Sequence, residues 1–574
     1  MRIFLIKQNN HLIPKNCLKT IVSTPCNQTV RLLSPHSWYF SGALLMLLNL
    51  SGCQRLDSKV QRPAPLPQDP FVEAYFNHSP SADYQEPYRH LKRPGDNLEQ
   101  LIVEAIASAR STVDVAVQEL RLPKIAQALA ERQQAGVKVR VILENNYSRP
   151  WSDFTDAELT KLPQREQEHY NEALRLIDRN SDTKLSPAEI NQGDALVILR
   201  NAQVPVIDDT ADGSEGSGLM HHKFLVVDGH ILLVTSANFT TSGIHGDFAA
   251  PESRGNANNL LKIESSELAA AFTQEFNFMW GDGPGGKPDS RFGINKPLRP
   301  VQQVTLGNTT IAVQFSPISA TKPWNQSSNG LISQTLGSST QSIDLALFVF
   351  SEQRLADVLG IAHQRGVQIR AVIDPSFAYR YYSEGLDLMG VALSNKCQYE
   401  ADNRPWQEPI TTVGVPQLPS GDVLHHKFGI IDHQTVITGS HNWSEAANHE
   451  NDETVLVINS STVAAHFERE FERLYSNAVQ GVPVAVLEKV KAQQQQCTQI
   501  TQTSKSNISV TGELVNLNTA SQEELETLPG VGPKLAQRII AARQQKQFTS
   551  LEDLDQVSGV GPNLLQKLDG RVTW

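Results

Sequence analysis

The chain has 574 residues, 40% hydrophobic and 19% charged, which are the proportions of an ordinary globular protein of several domains. Its formal net charge of −11 excludes a general nucleic-acid coat and confines any DNA contact to a local surface. Five cysteines are too few for a disulfide scaffold.

Residues 1–52 read as a lipoprotein signal peptide. No Asp or Glu precedes Asp57, whereas Arg2, Lys7, Lys15, Lys19 and Arg31 are basic. The apolar stretch SWYFSGALLMLLNLSGC is shorter than the roughly 20 apolar residues of a membrane span. Its end, Leu50-Ser51-Gly52-Cys53, resembles a bacterial lipobox, which implies cleavage before Cys53 and lipidation of that residue. The expected location is a bacterial cell envelope, with the lipid anchor in the outer membrane or on the periplasmic face. Residues 53–70 are polar and Pro-rich and read as a semi-rigid tether.

A first α/β unit spans residues 71–282. Helical spacing over Asp96–Ala109, with Asp96 as cap, precedes a buried strand (TVDVAVQEL). A helix follows, with Pro123 near its start and Gly136 after its end, and then the strand VKVRVILE. An insertion over 165–190 carries a helix and the loop DRNSDTKLSPAE. Asp178, Asn180, Asp182, Lys184, Ser186 and Glu189 fall at positions one, three, five, seven, nine and twelve of an EF-hand-like loop, with the Lys184 carbonyl as one ligand. That spacing predicts a structural Ca²⁺, although Thr183 stands where the sharp turn wants Gly.

The stretch HHKFLVVDGHILLVTSANF, His221–Phe239, reads as two strands with a turn at Asp228-Gly229. Alternation puts His221 and Lys223 on one face, and Ser236 and Asn238 on one face of the next strand. An imidazole, an ammonium, a hydroxyl and an amide would then converge, a set suited to a phosphate.

Residues 283–300 read as a linker, and a second unit spans 301–485. It repeats the first: Asp114, Gly136 and Arg140 match Asp344, Gly366 and Arg370 at a constant offset of 230. The motif returns as HHKFGIIDHQTVITGSHNW, with His425, Lys427, Asp432, Ser440 and Asn442. Strand–helix–strand order implies α/β layers with right-handed crossovers. Cys397 and Cys497 stand at polar positions, and spacing leaves a disulfide and two free thiols equally open.

Residues 486–511 read as a Gln/Ser/Thr-rich linker. Residues 512–574 contain two helix–turn–helix units with turns at Pro529-Gly530-Val531-Gly532 and Ser558-Gly559-Val560-Gly561. Gly530, Gly532, Gly559 and Gly561 permit close backbone approach, the following helix starts present N–H groups to an anion, and Lys534 adds charge. This module resembles the all-α double helix-hairpin-helix domain of competence-type DNA receptors, which implies sequence-independent binding to duplex phosphates. It holds six Lys/Arg against eight Asp/Glu, so it is not basic.

The doubled His-x-Lys-x₄-Asp pattern resembles the phospholipase D superfamily over roughly residues 70–480. The resemblance implies two repeats packed with pseudo-twofold symmetry around one active site. One histidine would attack phosphorus to give a phosphohistidine and the other would protonate the leaving oxygen, with no metal needed. On that resemblance His221 and His425 are the nucleophile–acid pair. Lys223, Lys427, Asn238 and Asn442 bind phosphate, Ser236 and Ser440 assist, and Asp228 and Asp432 support the motif. Glu453 fits the family's downstream carboxylate, and alignment puts Asn258 opposite it in the first unit. Thr235 stands where the second unit has Gly439. Which histidine is the nucleophile stays open.

The reading favours a monomeric, membrane-tethered phosphodiesterase acting on DNA. The alternatives are a phospholipase D or phosphatidyl transferase acting on phospholipid, and a non-catalytic surface DNA receptor.

Overall fold

The structure, a computed structural model, describes residues 62–214, 218–400, 402–497, 501–502 and, with gaps of one to three positions, 515–574. Cys53, Gly530, Gly532 and the Lys534 side chain lie outside the described residues.

Two mixed sheets carry the α/β body. The first is built from β1 (Val72–Phe76), β2 (Thr112–Val117), β3 (Lys138–Leu143), β4 (Val206–Asp208), β5 (Lys223–Val227), β6 (Ile231–Thr235) and β7 (Asn259–Glu264). Their order across the sheet is β1-β7-β6-β5-β2-β3-β4. Strands β2, β3 and β4 run parallel, while β5, β6 and β7 form an antiparallel meander beside them. The second unit repeats this core arrangement. Ser342–Leu347 pairs in parallel with Gln368–Ile373 and antiparallel with Lys427–Ile431, which continues to Thr435–Gly439 and Glu453–Asn459.

The duplication extends to side-chain contacts. Arg140 grips Asp114 with two bonds of 2.6 and 2.7 Å, and Arg370 grips Asp344 with two of 2.7 Å. Each guanidinium also covers two aromatic rings, Phe276 and Trp280 in one unit, Phe471 and Tyr475 in the other. One apolar core is shared by both units. It contains Phe224, Phe272 and Phe276 of the first and Phe315, Phe428 and Phe467 of the second. Each unit has a further outer core, and the C-terminal helical module has its own.

Several expectations are corrected. Asn97, not Asp96, caps the helix Leu98–Ser108, while the Asp96 carboxylate accepts from Phe76 N at 2.9 Å. The last part of the expected tether is fastened to the body: Asp69 accepts from Thr309 Oγ1 and Ser460 Oγ, and Arg469 donates to Ala64 O. The expected linker at 283–300 sends Lys296 and Arg299 into the interior, against Glu275 and, for Lys296, Asp452. Both cations are buried, and losing one would leave the buried carboxylates short of a cation, a cost of up to about 3–5 kcal/mol.

Where a linker is expected from residue 486, a helix runs over Val484–Gln496 and packs Val486 and Val490 on the second unit. At its end Cys497 is disulfide-bonded to Cys397, with Cα atoms 5.6 Å apart. Thr501–Gln502 then pairs with Gln398–Tyr399.

Candidate active site

The two repeated motifs form β-hairpins. Asp228 and Gly229 have φ of 52° and 62°, and Asp432 and His433 have 51° and 57°, the positive values that a two-residue hairpin turn requires. The aspartates explain why the motif needs them. Asp228 accepts from the backbone N–H groups of Arg110, Ser111 and Thr112, and Asp432 from those of Thr340, Gln341 and Ser342. Each ties its turn to the start of the neighbouring strand, at the far end of the hairpin strand from the lysine.

The histidines are placed by isolated backbone bridges between the units, Met220 with Asp452 and Ala257 with Leu424. His221 N donates to Asp452 O at 3.0 Å, and His425 N donates to Ala257 O at 3.1 Å. Each imidazole therefore meets a side chain of the other unit. His221 Nδ1 lies 2.7 Å from Glu453 Oε2, and His425 Nδ1 lies 3.0 Å from Asn258 Oδ1. Asn258 is locked in that sense, because its Nδ2 donates to Gly243 O at 2.8 Å and Asn256 O at 3.2 Å. His425 Nδ1–H consequently donates to Asn258 Oδ1, and Nε2 is left for proton exchange.

The expected direct assistance from the serines takes another form. Ser236 Oγ donates to Asn258 Oδ1 at 2.8 Å and accepts from Asn259 N at 3.1 Å. Ser440 Oγ accepts from Thr454 N at 3.0 Å and bonds Glu453. Both hydroxyls are buried and hold the residues behind the imidazoles. By contrast, Asn238 Oδ1 and Asn442 Oδ1 are buried without a hydrogen-bond partner. A Cβ at Gly439, φ 134°, would fall 2.2 Å from Thr454 O, so glycine is required there. Thr235 adapts by donating to Asn259 O.

Lys223 Nζ donates to His221 O at 3.0 Å and Gln118 Oε1 at 3.2 Å, and Lys427 Nζ donates to His425 O at 2.8 Å. Burial, then Lys223 and Lys427, pushes His221 far below the usual histidine range. Burial, then Lys427, Lys223 and His221, does the same to His425. Burial lowers Lys223 to about 7. Burial, then Lys223, lowers Lys427 well below its ordinary value. An anion among these groups would favour their charged forms and so oppose each of these shifts.

Residues outside the motif complete the site. Glu144 accepts from Met220 N at 2.6 Å and Asp374, its counterpart at the offset of 230, accepts from Leu424 N at 2.8 Å; each fixes the residue before a histidine. The second histidine of each HHK is also paired. His222 Nε2 is 3.4 Å from Glu275 and His426 Nε2 is 2.9 Å from Glu470, each glutamate lying on a helix of the same unit. The repetition of HHK in both units was the available signal for that role.

Residues 102–280 and 332–475 match the family model described as cardiolipin synthase, PLD-like domain. The chain belongs to the phospholipase D-like family. Residues 510–573 match the helix-hairpin-helix motif model. Among relatives, a mitochondrial cardiolipin hydrolase of Mus musculus is 30% identical over 155 residues, 27% of this chain and 60% of that protein. One from Xenopus laevis is 30% identical over 186 residues, 31% of this chain and 78% of that protein. A phospholipase D of Rickettsia typhi is 28% identical over 149 residues, 26% of this chain and 63% of that protein. The match thus spans only 60% of the mouse relative's length. Similar solved structures include Nuc from Salmonella typhimurium, 22% identical, TM-score 0.24, covering 31% of this chain and 100% of that one. The phosphatidylserine synthase of Haemophilus influenzae is 12% identical, TM-score 0.44, covering 77% of this chain and 97% of that one.

In the insertion of this phospholipase D-like protein, Asp178 Oδ1 is buried without a partner, and Thr183 adopts φ 67°, the conformation expected of glycine. Thr183 N donates to Asp178 Oδ2, Lys184 N to Asp182 Oδ1, and Asp182 N to Asn180 Oδ1. Glu189 is engaged by Ser186 and by Asn180 N, at 3.3 Å for the latter. Among the described residues, no three His, Cys, Asp or Glu side chains are arranged to hold a metal ion.

In the C-terminal module, Gly559 has φ 87° and adjoins the Arg538 guanidinium. A Cβ at Gly561 would fall 2.6 Å from Glu450 Oε1, and Ser319 bonds Asp555. The second hairpin turn therefore faces the α/β body at the residue that precedes Asn451, the neighbour of Glu453 through an Nδ2 bond of 3.3 Å.

Proposed function

We propose that the protein is a phosphodiesterase that hydrolyses DNA through a phosphohistidine on His221. The observation that carries this reading is the unequal backing of the two imidazoles, Glu453 behind His221 and Asn258 behind His425. A phosphorylated imidazole is cationic, and the Glu453 carboxylate stabilises that cation where an amide does not. An imidazolium backed only by an amide releases its proton more readily, which suits His425 to the acid role.

In the first step His221 Nε2 bonds to phosphorus, the bond to the leaving oxygen breaks, and that oxygen takes the proton from His425 Nε2. Water then attacks phosphorus while neutral His425 takes its proton, and the N–P electron pair returns to His221. Lys223, Lys427, Asn238 and Asn442 hold the non-bridging oxygens.

DNA is favoured over lipid because the chain carries a helix-hairpin-helix module, which gives the catalytic body a high local concentration of duplex. Lipidation at Cys53 would hold the enzyme in a bacterial envelope, and the Cys397–Cys497 disulfide suits that oxidising compartment. Calcium at the insertion loop would be structural, with Asp178 Oδ1 as a ready ligand.

The test uses residues 54–574, which leave out the lipidated Cys53, with chelator present. Plasmid nicking that is abolished by His221→Ala or His425→Ala is the expected result. Phosphatidate release from phosphatidylcholine vesicles without nicking would instead establish a phospholipase D. Tight plasmid binding with neither reaction would leave a surface receptor.

A further inference from the structure

The two units diverge at one pair of equivalent positions beside the histidines. At the offset of 230, Gln118 corresponds to Phe348. Lys223 Nζ donates to Gln118 Oε1, whereas Lys427 Nζ sits 4.8 Å from the centre of the Phe348 ring. Phe348 also lies 4.9 Å from the His425 ring and 4.7 Å edge-on from Phe377. Neither phenylalanine belongs to any of the apolar cores, and both are only half-buried. They are large, partly exposed apolar rings outside the cores, beside the proposed acid.

The neighbouring segment continues this surface. Arg380 and Tyr381 are exposed, and the Tyr381 ring meets that of Tyr382 edge-on at 5.1 Å. In the first unit the position equivalent to Tyr381 is Trp151, and it is closed. Arg121 covers its ring at 4.9 Å, and Tyr170 of the insertion helix Gln164–Ile177 meets it at 5.9 Å. The insertion helix thus packs over Trp151 in the first unit, whereas Tyr381 in the second stays exposed.

We propose that Phe348 and Phe377 form the subsite for the leaving side of the substrate, where they stack an unpaired nucleobase, with Arg380 and Tyr381 taking the strand beyond it. Aromatic faces with an interleaved arginine are the surface that binds single-stranded nucleic acid without regard to sequence. A quaternary ammonium headgroup would also suit aromatic rings, but Lys427 Nζ already sits 4.8 Å from the Phe348 ring centre, and once a bound phosphate restores its charge a second cation there is repelled. A neutral planar base meets no such penalty. The inference rests on the DNA reading above. It adds that the scissile nucleotide is unpaired, so cleavage occurs in single strands, gaps, overhangs and the transiently unpaired stretches of a supercoiled plasmid.

The test is a single-stranded oligonucleotide with one diester flanked by methylphosphonate linkages, so that only one bond can be cut. Three versions carry both bases, an abasic leaving side, or an abasic opposite side. For the unaltered enzyme, losing the leaving-side base should lower kcat/KM by about tenfold, within the range that stacking of one base supplies. Losing the other base should matter less. Phe348→Leu and Phe377→Leu should lower cleavage of the intact version to the level of the leaving-side abasic one, with no further loss on the latter. Phe348→Trp should restore discrimination.

Equal losses on all three versions would overturn the subsite, because Phe348 would then act only by positioning His425 and Lys427. Indifference of the unaltered enzyme to either base would overturn it too. Plasmid nicking with no cleavage of any single strand would overturn the inference and leave the DNA reading standing. Hydrolysis of phosphatidylcholine with no DNA cleavage would overturn both.

Discussion

Glu453 Oε2 stands 2.7 Å from His221 Nδ1, and the two residues belong to different repeats of the chain. Neither repeat therefore holds its motif's first histidine together with the side chain behind it, and that pairing exists only when the units are assembled. Glu453→Gln should lower turnover about 10²–10³-fold, the share typical of positioned acid–base chemistry. With His425→Asn and a substrate bearing a good leaving group, the phosphoenzyme should accumulate. Peptide mass spectrometry should then find the phosphate on His221. Phosphate on residue 221 is the sole placement consistent with the assignment.

The pH profile follows from the same asymmetry. The active form needs neutral His221 and protonated His425. Burial and the lysines lower both imidazoles, so kcat/KM, which reports the free enzyme, should peak below the ordinary histidine pKa of about 6.5. Activity should fall on the alkaline side as His425 loses its proton. Asn258→Asp places a carboxylate behind His425, raises its pKa and should move that limb to higher pH. Glu453→Gln lowers the pKa of His221 and should move the acid limb to lower pH. Binding of inorganic phosphate should take up protons at pH 7, because the anion raises His425 and Lys223, the latter from about 7. Calorimetry in buffers of different ionisation enthalpy measures that uptake directly.

Thr183 holds φ 67° at the loop position that suits glycine. Thr183→Gly should remove strain of about 1 kcal/mol or more, raise the melting temperature in calcium and tighten calcium binding. Glu189→Gln should weaken it. Calorimetric titration with millimolar calcium and no heat from the unaltered protein would end the metal reading of the insertion.

Glu450 occupies the place beside Gly561 where the second hairpin turn would meet a phosphate. Burial raises its pKa. Glu450→Ala should open that turn to DNA, lower the duplex dissociation constant of the full chain about fivefold, and steepen its dependence on salt, because one more phosphate is contacted. Fluorescence anisotropy across a salt series checks both effects. An unchanged slope would show that only the first hairpin contacts the backbone.

Much of this was legible in the chain. The doubled HxK motif, the repeat offset and the opposition of Asn258 to Glu453 are local patterns with fixed spacing. What stayed hidden depends on contacts between units. That each backing residue serves the other unit's histidine follows from the backbone bridges at Met220–Asp452 and Ala257–Leu424, which no periodicity encodes. Ser236 and Ser440 are used behind the imidazoles, because Asn258 engages the Ser236 hydroxyl and Glu453 that of Ser440. Lys296 and Arg299 look like linker cations until Glu275 is seen beneath them. The helix Val484–Gln496 was masked by its glutamine-rich end, although Val486 and Val490 keep helical spacing.

The disulfide between Cys397 and Cys497 closes a loop of 100 residues just before the chain leaves for its C-terminal module. Tension on that module, as from a long duplex dragged by flow or by other machinery, enters the body at Cys497. The covalent crosslink hands the load to Cys397 and its strand. Helix Val484–Gln496 lies inside the closed loop, so a pull on the chain beyond residue 502 would not peel that helix away from its end.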